Sequence, residues 1–499
     1  MKSDIVLYER IYQLIRSQIE SGQLPRGAKL PSRAALCEEF QVSGKTVRRV
    51  LERLAEAGLI ETAQRKVPVV KGPLTDRQEE PALAPVDQVM VDDLFHTGRL
   101  ICLPIIEQGL ALCSGEDWNI PWAIVEQMDP ANSLEFWRRS HQLWRFFIAR
   151  NGNDLILRAV DSLGFSKIDP LPGPLELRMS YLADIKALLQ NVSHGREPGV
   201  QFEDMSFLYG LSGNGPRSLA LSRVAPDSPL RTGLTGLERK IRSAEERYSR
   251  VYMDILGLIS VGHYQPGDRL PSHLEMQKMY GVSADTMNKA IRALQDWGVV
   301  TAKRGSGIYV SMDLTALQKA PIPENMIACH LRRFLDSIEL LALTAQGAAA
   351  HAASSVTPEE ARALEAAIRR HWDEEYLYLR APVKLLEFIT EHIQYTALKQ
   401  IYQVILENYR IGRCIPKLVT PLKTPKDLEI HQRVLKTVER LAQGDTDTFS
   451  AQVAEQFKEI QRLILETCET LGYLQLADQV YASRALWQER NIVKARPGG

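Results

Sequence analysis

One passage of this chain occurs twice. Residues 8–70 recur as residues 248–310 without a gap, offset by 240 positions, and sixteen of the paired positions are identical. Among them are Tyr8/Tyr248, Tyr12/Tyr252, Gly27/Gly267, Thr46/Thr286, Leu54/Leu294 and Gly58/Gly298. The runs Leu30-Pro31-Ser32 and Val42-Ser43 return as Leu270-Pro271-Ser272 and Val282-Ser283. Solenoid repeats have periods of roughly 20–50 residues, so an offset this long means a duplicated domain. The chain must therefore build one small fold twice. Its 499 residues leave room for further domains, at about 100–200 residues each.

Each copy reads as three helices followed by a small hairpin. Residues 7–20 place Ile11, Leu14, Ile15 and Ile19 at helical spacing, and Ser21-Gly22 ends that helix. Ser32 is a good N-cap for a short helix over Ala34 to Phe40. Ser43 then caps a third helix that runs through Ala57 and stops at Gly58. Val47, Val50, Leu51 and Leu54 form its apolar stripe, which turns Lys45, Arg48, Arg49 and Glu52 outward. Leu59-Ile60 and Val67 to Val70 read as a two-stranded wing. In the second copy Val299–Lys303 and Ile308–Val310 flank a tip at Arg304-Gly305-Ser306-Gly307.

A short helix, a tight turn and a helix with a basic outer face suit the DNA major groove. Between residues 42 and 53 the first copy carries Lys45, Arg48, Arg49 and Arg53 against Glu52, a net charge of +3. The pattern L-P-S-x-x-x-L, then V-S-x-x-T-V-R, then L-x-x-x-G-L/I resembles the GntR family of bacterial transcription regulators. It stands here as Leu30-Pro31-Ser32 to Leu36, Val42-Ser43 to Leu51, Leu54 and Gly58-Leu59-Ile60, and again in the second copy, about 130 residues in all. The resemblance implies a winged helix-turn-helix in which Arg33, Ser43, Lys45, Thr46, Arg48 and Arg49, with Arg65 and Lys66 of the wing, face a double-stranded operator. In the second copy it implies the same for Ser283, Thr286, Asn288, Lys289, Arg304 and Gly305. An arginine usual in the family just beyond the Leu-Pro-Ser run is Ala34 here and Leu274 in the second copy.

The copies are unequal where they would meet DNA. Over 282–293 the second has Lys289 and Arg292 against Asp285, net +1, with Asn288 in place of Arg48. Its wing has the glycine-rich tip suited to a minor groove; the first has Gln64-Arg65-Lys66 and then Pro68. One chain would thus supply two non-identical readers. The competing reading makes the second copy a dimerisation or packing module.

Between and beyond the copies the chain reads as mainly helical. Residues 73–86, rich in Pro, Glu and Asp, form a linker, and Pro321-Ile322-Pro323 a shorter one. Irregular stretches are expected at 164–175 and 191–232. The expected fold is mainly α: winged helix-turn-helix domains at 1–72 and 241–312 alternate with all-α helical bundles at 87–240 and 324–499. In the first bundle Phe136, Trp137, Trp144, Phe146 and Phe147 read as core. Residues 328–466 resemble the FadR-type effector domain of one GntR subfamily, through Arg332 to Glu339, Ala348 to Ala353, Glu387 to His392, Ile430-His431 and Gly444-Asp445. Members of that subfamily hold a divalent metal through one aspartate and three histidines, and the metal anchors a carboxylate effector. Here His392 and His431 fill two histidine positions, but Phe388 stands at the aspartate position and Gln456 at the last histidine. The resemblance therefore implies an effector pocket around Glu387, His392, His431 and Gln456 and argues against a metal, unless Glu387 or Glu391 substitutes.

Composition narrows the remaining classes. Lys plus Arg and Asp plus Glu number 61 each, so only local patches can attract nucleic acid. The first residues lack the apolar core of a secretory signal and no run of about 18 apolar residues occurs, which points to the cytoplasm and away from membranes. Six cysteines are scattered without metal-ligand spacing and read as small buried residues in a reducing compartment. No Walker loop, GxSxG or HExxH motif occurs, and the second copy interrupts the space that a fused aminotransferase-like enzyme would need. The expectation is a DNA-binding regulator, a repressor by family habit, that answers to a small-molecule effector, uses no cofactor and is compatible with a homodimer. An architectural or partner-binding regulator without ligand response is the alternative.

Overall fold

The structure, a computed structural model, describes residues 4–40, 42–62, 67–72, 87–169, 174–197, 223–225, 228–242, 244–260, 263–317, 324–373, 381–415, 417–418 and 423–478. The expected linker at 73–86, the wing residues Arg65 and Lys66 and most of the 191–232 stretch lie outside them. The chain divides between Thr235 and Gly236 into two compact units, and each combines one copy of the repeat with helices that follow it.

The first unit opens with α1 (Asp4–Glu20), α2 (Arg33–Glu39) and α3 (Gly44–Glu56), then β1 (Ile60–Glu61) and β2 (Val69–Val70). Serines set the helix starts. The Ser32 hydroxyl accepts from the Ala35 amide, and Ser43 accepts from Thr46, each at 3.2 Å. Gly58 ends the third helix with φ of 73°, a left-handed turn that costs glycine nothing. Ile11, Tyr12, Ile15 and Ile19 of α1 pack with Leu30, Leu36, Val47, Val50, Leu51 and Leu54 into one apolar core closed by Val70. The wing is antiparallel, Ile60 opposite Val70 and Glu61 opposite Val69.

There follow α4 (Gln88–Ala111), α5 (Asn119–Glu126), α6 (Ser133–Arg150), α7 (Asp154–Leu163), β3 (Ile168–Asp169), α8 (Leu175–Ser193), β4 (Arg223–Val224) and α9 (Pro229–Thr232). The five aromatics expected as core are all buried on α6. The sequence shows no strands here, yet Ile168 and Asp169 pair with Val224 and Arg223. That pairing closes a separation of more than fifty residues, which no local pattern records. The winged portion is seated on α6 by charge: Glu20 bonds Arg16 and Arg145, each at 2.7 Å, and Arg145 also grips Asp161.

The second unit begins with α10 (Leu237–Ile241), which packs on a later helix of the same unit instead of closing the first bundle as the expected 87–240 boundary has it. Then come α11 (Ala244–Ser260), α12 (His273–Tyr280), α13 (Ala284–Asp296), β5 (Val300–Lys303) and β6 (Gly307–Val310). This hairpin is longer, pairing Val300 with Val310 through to Lys303 with Gly307. After α14 (Leu314–Leu317) the bundle consists of α15 (Glu324–Ala353), α16 (Pro358–Asp373), α17 (Ala381–His392), α18 (Thr396–Ile411), α19 (Pro425–Ala442), α20 (Thr446–Thr470) and α21 (Tyr473–Asp478). The long α15 lies against α18, α20 and α21; α16 packs on α19, and α10 on α18. No helix among the described residues is long and apolar enough to cross a membrane.

Candidate nucleic-acid interface

On α3 the inward stripe is Val47, Val50, Leu51 and Leu54, all buried. Lys45, Arg48, Arg49 and Glu52 repeat at the complementary spacing i, i+3, i+4, i+7, so they share the exposed face. Arg48 bonds Glu52 at 2.7 Å with its side chain 67% exposed. Such a pair contributes about 0.3–0.5 kcal/mol and is readily exchanged for phosphate or a guanine edge. Arg33 begins α2 on the exposed surface beside this face in the helix-turn-helix.

Two expected contacts have other duties. The Thr46 side chain is 3% exposed and its hydroxyl lies 2.9 Å from that of Ser43, so it locks the start of α3 instead of facing outward. The Arg49 guanidinium carbon lies 3.9 Å from the centre of the Tyr8 ring, and Arg53 donates to the Tyr8 hydroxyl at 2.9 Å. Arg53 also lies 4.9 Å from the Tyr12 ring centre. These cations on aromatic faces brace α3 against α1, a role the charge count of the helix does not reveal.

The second copy keeps the frame and changes the face. Ser283 caps α13 as Ser43 caps α3, its hydroxyl 3.0 Å from that of the half-buried Thr286. Lys289 forms a close ion pair with Asp285 one turn earlier, which neutralises the cation nearest the helix start. Asn288 and Arg292 remain exposed. The wing compensates. Arg304 and Gly305 sit exposed at the hairpin tip, Gly305 with φ of 73°, while the Tyr309 and Ser306 hydroxyls lie 2.7 Å apart and hold the tip.

The four candidate effector residues do not assemble a divalent-cation site. Glu387 is bonded by Arg410 at 2.6 Å and Lys384 at 2.7 Å. Burial pushes its carboxyl pKa up, but those bonds outweigh it and hold it below the usual range. His392 donates through Nδ1 to the Phe388 carbonyl at 2.9 Å, and its Nε2 lies 3.7 Å from Glu360. His431 is stacked at 4.5 Å on Trp372, with burial first and Arg369 second lowering its pKa. Glu360 and Trp372 stand twelve residues apart on α16, about 18 Å at 1.5 Å per residue, so the two imidazoles are anchored at opposite ends of that helix. Gln456, on α20, is buried with an Nε2 that has no partner among the described residues, and so is His431 Nδ1. No cluster of three or more metal-ligating side chains occurs among the described residues.

His431 and the buried His330 of α15 both titrate below their ordinary value, His330 through burial and then Arg333. Below about pH 6.5 the unfolded chain binds protons that these folded imidazoles refuse, so their contribution to stability is present above that pH and lost as pH falls. Depressed carboxylates such as Glu387 act only below about pH 4.5. The melting temperature of the chain is therefore expected to fall between pH 7 and pH 5; a flat profile there would contradict the burial described.

The comparisons with known proteins concern these same segments. The family model described as bacterial regulatory proteins, gntR family, matches residues 7–70 and 247–310. The Uxu operon transcriptional regulator of Escherichia coli is 35% identical over 82 residues, 16% of this chain and 32% of that protein. The mannosyl-D-glycerate transport/metabolism system repressor MngR of Escherichia coli is 45% identical over 58 residues, 12% of this chain and 24% of that protein. This chain thus spans a third or less of these relatives' lengths. A solved Streptococcus agalactiae GntR structure aligns with 43% of this chain and 99% of its own at 19% identity, but with a TM-score of 0.20 it carries no argument. Both matches to the gntR family model, residues 7–70 and 247–310, fall on segments built alike, with a serine cap on each of two helices and a two-stranded wing.

Proposed function

We propose that this chain is a sequence-specific, DNA-binding transcription regulator with two non-identical readers. The observation that carries the proposal is the exposed Lys45–Arg48 face of α3, held over an apolar core by a serine cap. The first copy reads base edges in the major groove through Lys45 and Arg48, with Arg33 near the phosphates and the hydroxyl of Ser43 at the helix start. The second contributes less through α13, by Asn288 and Lys289, and more through the wing tip at Arg304. Its operator is accordingly asymmetric, where two identical readers would take a palindrome.

Response to a small-molecule effector belongs to the same proposal. Two buried polar atoms without partners among the described residues, His431 Nδ1 and Gln456 Nε2, lie on the packed helices α19 and α20 and support a polar effector pocket in that bundle. A second reading makes residues 241–312 a docking module for a protein partner. The exposed apolar side chains of α12, Leu274 at 61% and Met279 at 63%, favour it.

Selection from a random duplex library tests the central reading. The full chain is expected to enrich one defined, non-palindromic motif. Retention of DNA without any enriched sequence would overturn sequence-specific regulation.

A further inference from the structure

The outward faces of α3 and α13 carry their charges in opposite order. At positions spaced i, i+3, i+4, i+7 the first copy has Lys45, Arg48, Arg49 and Glu52; the second has Asp285, Asn288, Lys289 and Arg292. Each face holds an ion pair between residues four apart. In α3 it joins Arg48 to Glu52, beyond the first turn. In α13 it joins Asp285 to Lys289, so the pair begins at the end of the helix that meets base edges in a helix-turn-helix. The frame beneath is unchanged. Met287, Ala290, Ile291 and Leu294 are buried and Ser283 caps the helix, which holds the Asp285 side chain, 75% exposed, and the Lys289 side chain, 36% exposed, on the outer face.

A carboxylate at that place is repelled by phosphate, which leaves the base edges as its partners. In the major groove only cytosine N4 and adenine N6 offer hydrogens to an acceptor. In an A·T pair the adenine N7 acceptor flanks the amino group and repels a carboxylate. In a C·G pair both acceptors, O6 and N7, lie on the guanine side, where they suit a lysine. The Asp285–Lys289 pair is the complement of that second edge, an acceptor and a donor side by side on one turn of helix.

We propose that Asp285 and Lys289 together read one C·G base pair, the cytosine amino group donating to the Asp285 carboxylate and the Lys289 ammonium donating to guanine. The inference rests on the sequence-specific reading proposed above. Because the pair brings no net charge to the groove, it supplies base preference and little general affinity for DNA. Lys45 stands at the Asp285 position in the first copy, and a lysine there favours guanine where the carboxylate takes cytosine. The two readers thus differ in the base they select as well as in charge.

Selection from a random duplex library, run with the full chain, tests this. Wild type is expected to enrich two segments, one of which holds a C·G pair favoured about 5- to 150-fold over the alternatives, the discrimination of a good base contact. The exchange Asp285→Lys with Lys289→Asp keeps the charge of the helix and the spacing of the pair. It should invert that one base pair to G·C and leave the other segment as it was. Asp285→Ala with Lys289→Ala should erase the preference at the same base pair alone. A wild-type motif that neither variant alters, or alters only in the other segment, would overturn the proposal and leave DNA recognition standing. Failure of the wild-type chain to enrich any motif would overturn the reading on which it rests.

Discussion

Replacing Lys45 and Arg48 together by alanine is expected to weaken binding to the enriched operator by roughly 30- to 20,000-fold, the sum of two contacts worth about 1–3 kcal/mol each. The loss should fall on DNA affinity alone. Both side chains are exposed, and the Arg48–Glu52 pair contributes only about 0.3–0.5 kcal/mol to the helix. The slope of affinity against salt should drop by about one for each contact that touches phosphate. In the second copy Asn288→Ala with Lys289→Ala, at the positions of Arg48 and Arg49, is expected to cost less than about tenfold, because Asp285 already occupies the lysine. Fluorescence anisotropy with the selected duplex measures all of these. Equal losses from the two double variants would contradict the inequality of the readers.

Gly109→Ala should have the largest effect on stability. On α4 this glycine faces α6 so closely that a Cβ would stand 1.9 Å from the Phe147 carbonyl oxygen. The obstacle is backbone in the last turn of a helix whose aromatics are buried, and it cannot rotate away. Relief requires the two helices to separate, at a cost above about 3 kcal/mol. For a unit of this size that lowers the melting temperature by roughly 6–12 °C. Gly257 supplies the control. It too lies inside a helix, but its added Cβ would meet only the Cys414 sulfur at 3.9 Å. Gly257→Ala should be neutral or stabilising by up to about 1 kcal/mol through helix propensity. Equal destabilisation by the two changes would mean that α4 and α6 are not in the close contact described.

Features that depend on local order were legible in the sequence. Ser43 and Ser283 cap their helices, and Val47, Val50, Leu51 and Leu54 form the buried stripe. The hairpin of the second wing pairs within one residue of its expected ends. These follow from a helical period and from side-chain-to-backbone bonds spanning three residues. What escaped depends on partners far along the chain. Arg49 and Arg53 look like free cations until Tyr8, more than forty positions earlier, is placed beneath them. Thr46 carries a plausible DNA-facing hydroxyl until the Ser43 cap and the core close over it. The Lys289–Asp285 pair stood at the expected i, i+4 spacing, and the charge count registered both residues without joining them. His392 and His431 matched two positions of a ligand motif, yet the length of α16 holds them apart. Motif spacing records where a ligand could stand in a family; it does not record whether neighbouring helices still bring the positions together.

The two-reader account turns on whether both copies touch one operator. A hydroxyl-radical footprint of the wild-type chain and of Arg304→Ala on the enriched duplex reads this directly. The account predicts two protected segments of different sequence, one of which loses protection in Arg304→Ala while the other persists. A palindromic footprint, or an Arg304→Ala pattern identical to wild type, would contradict it.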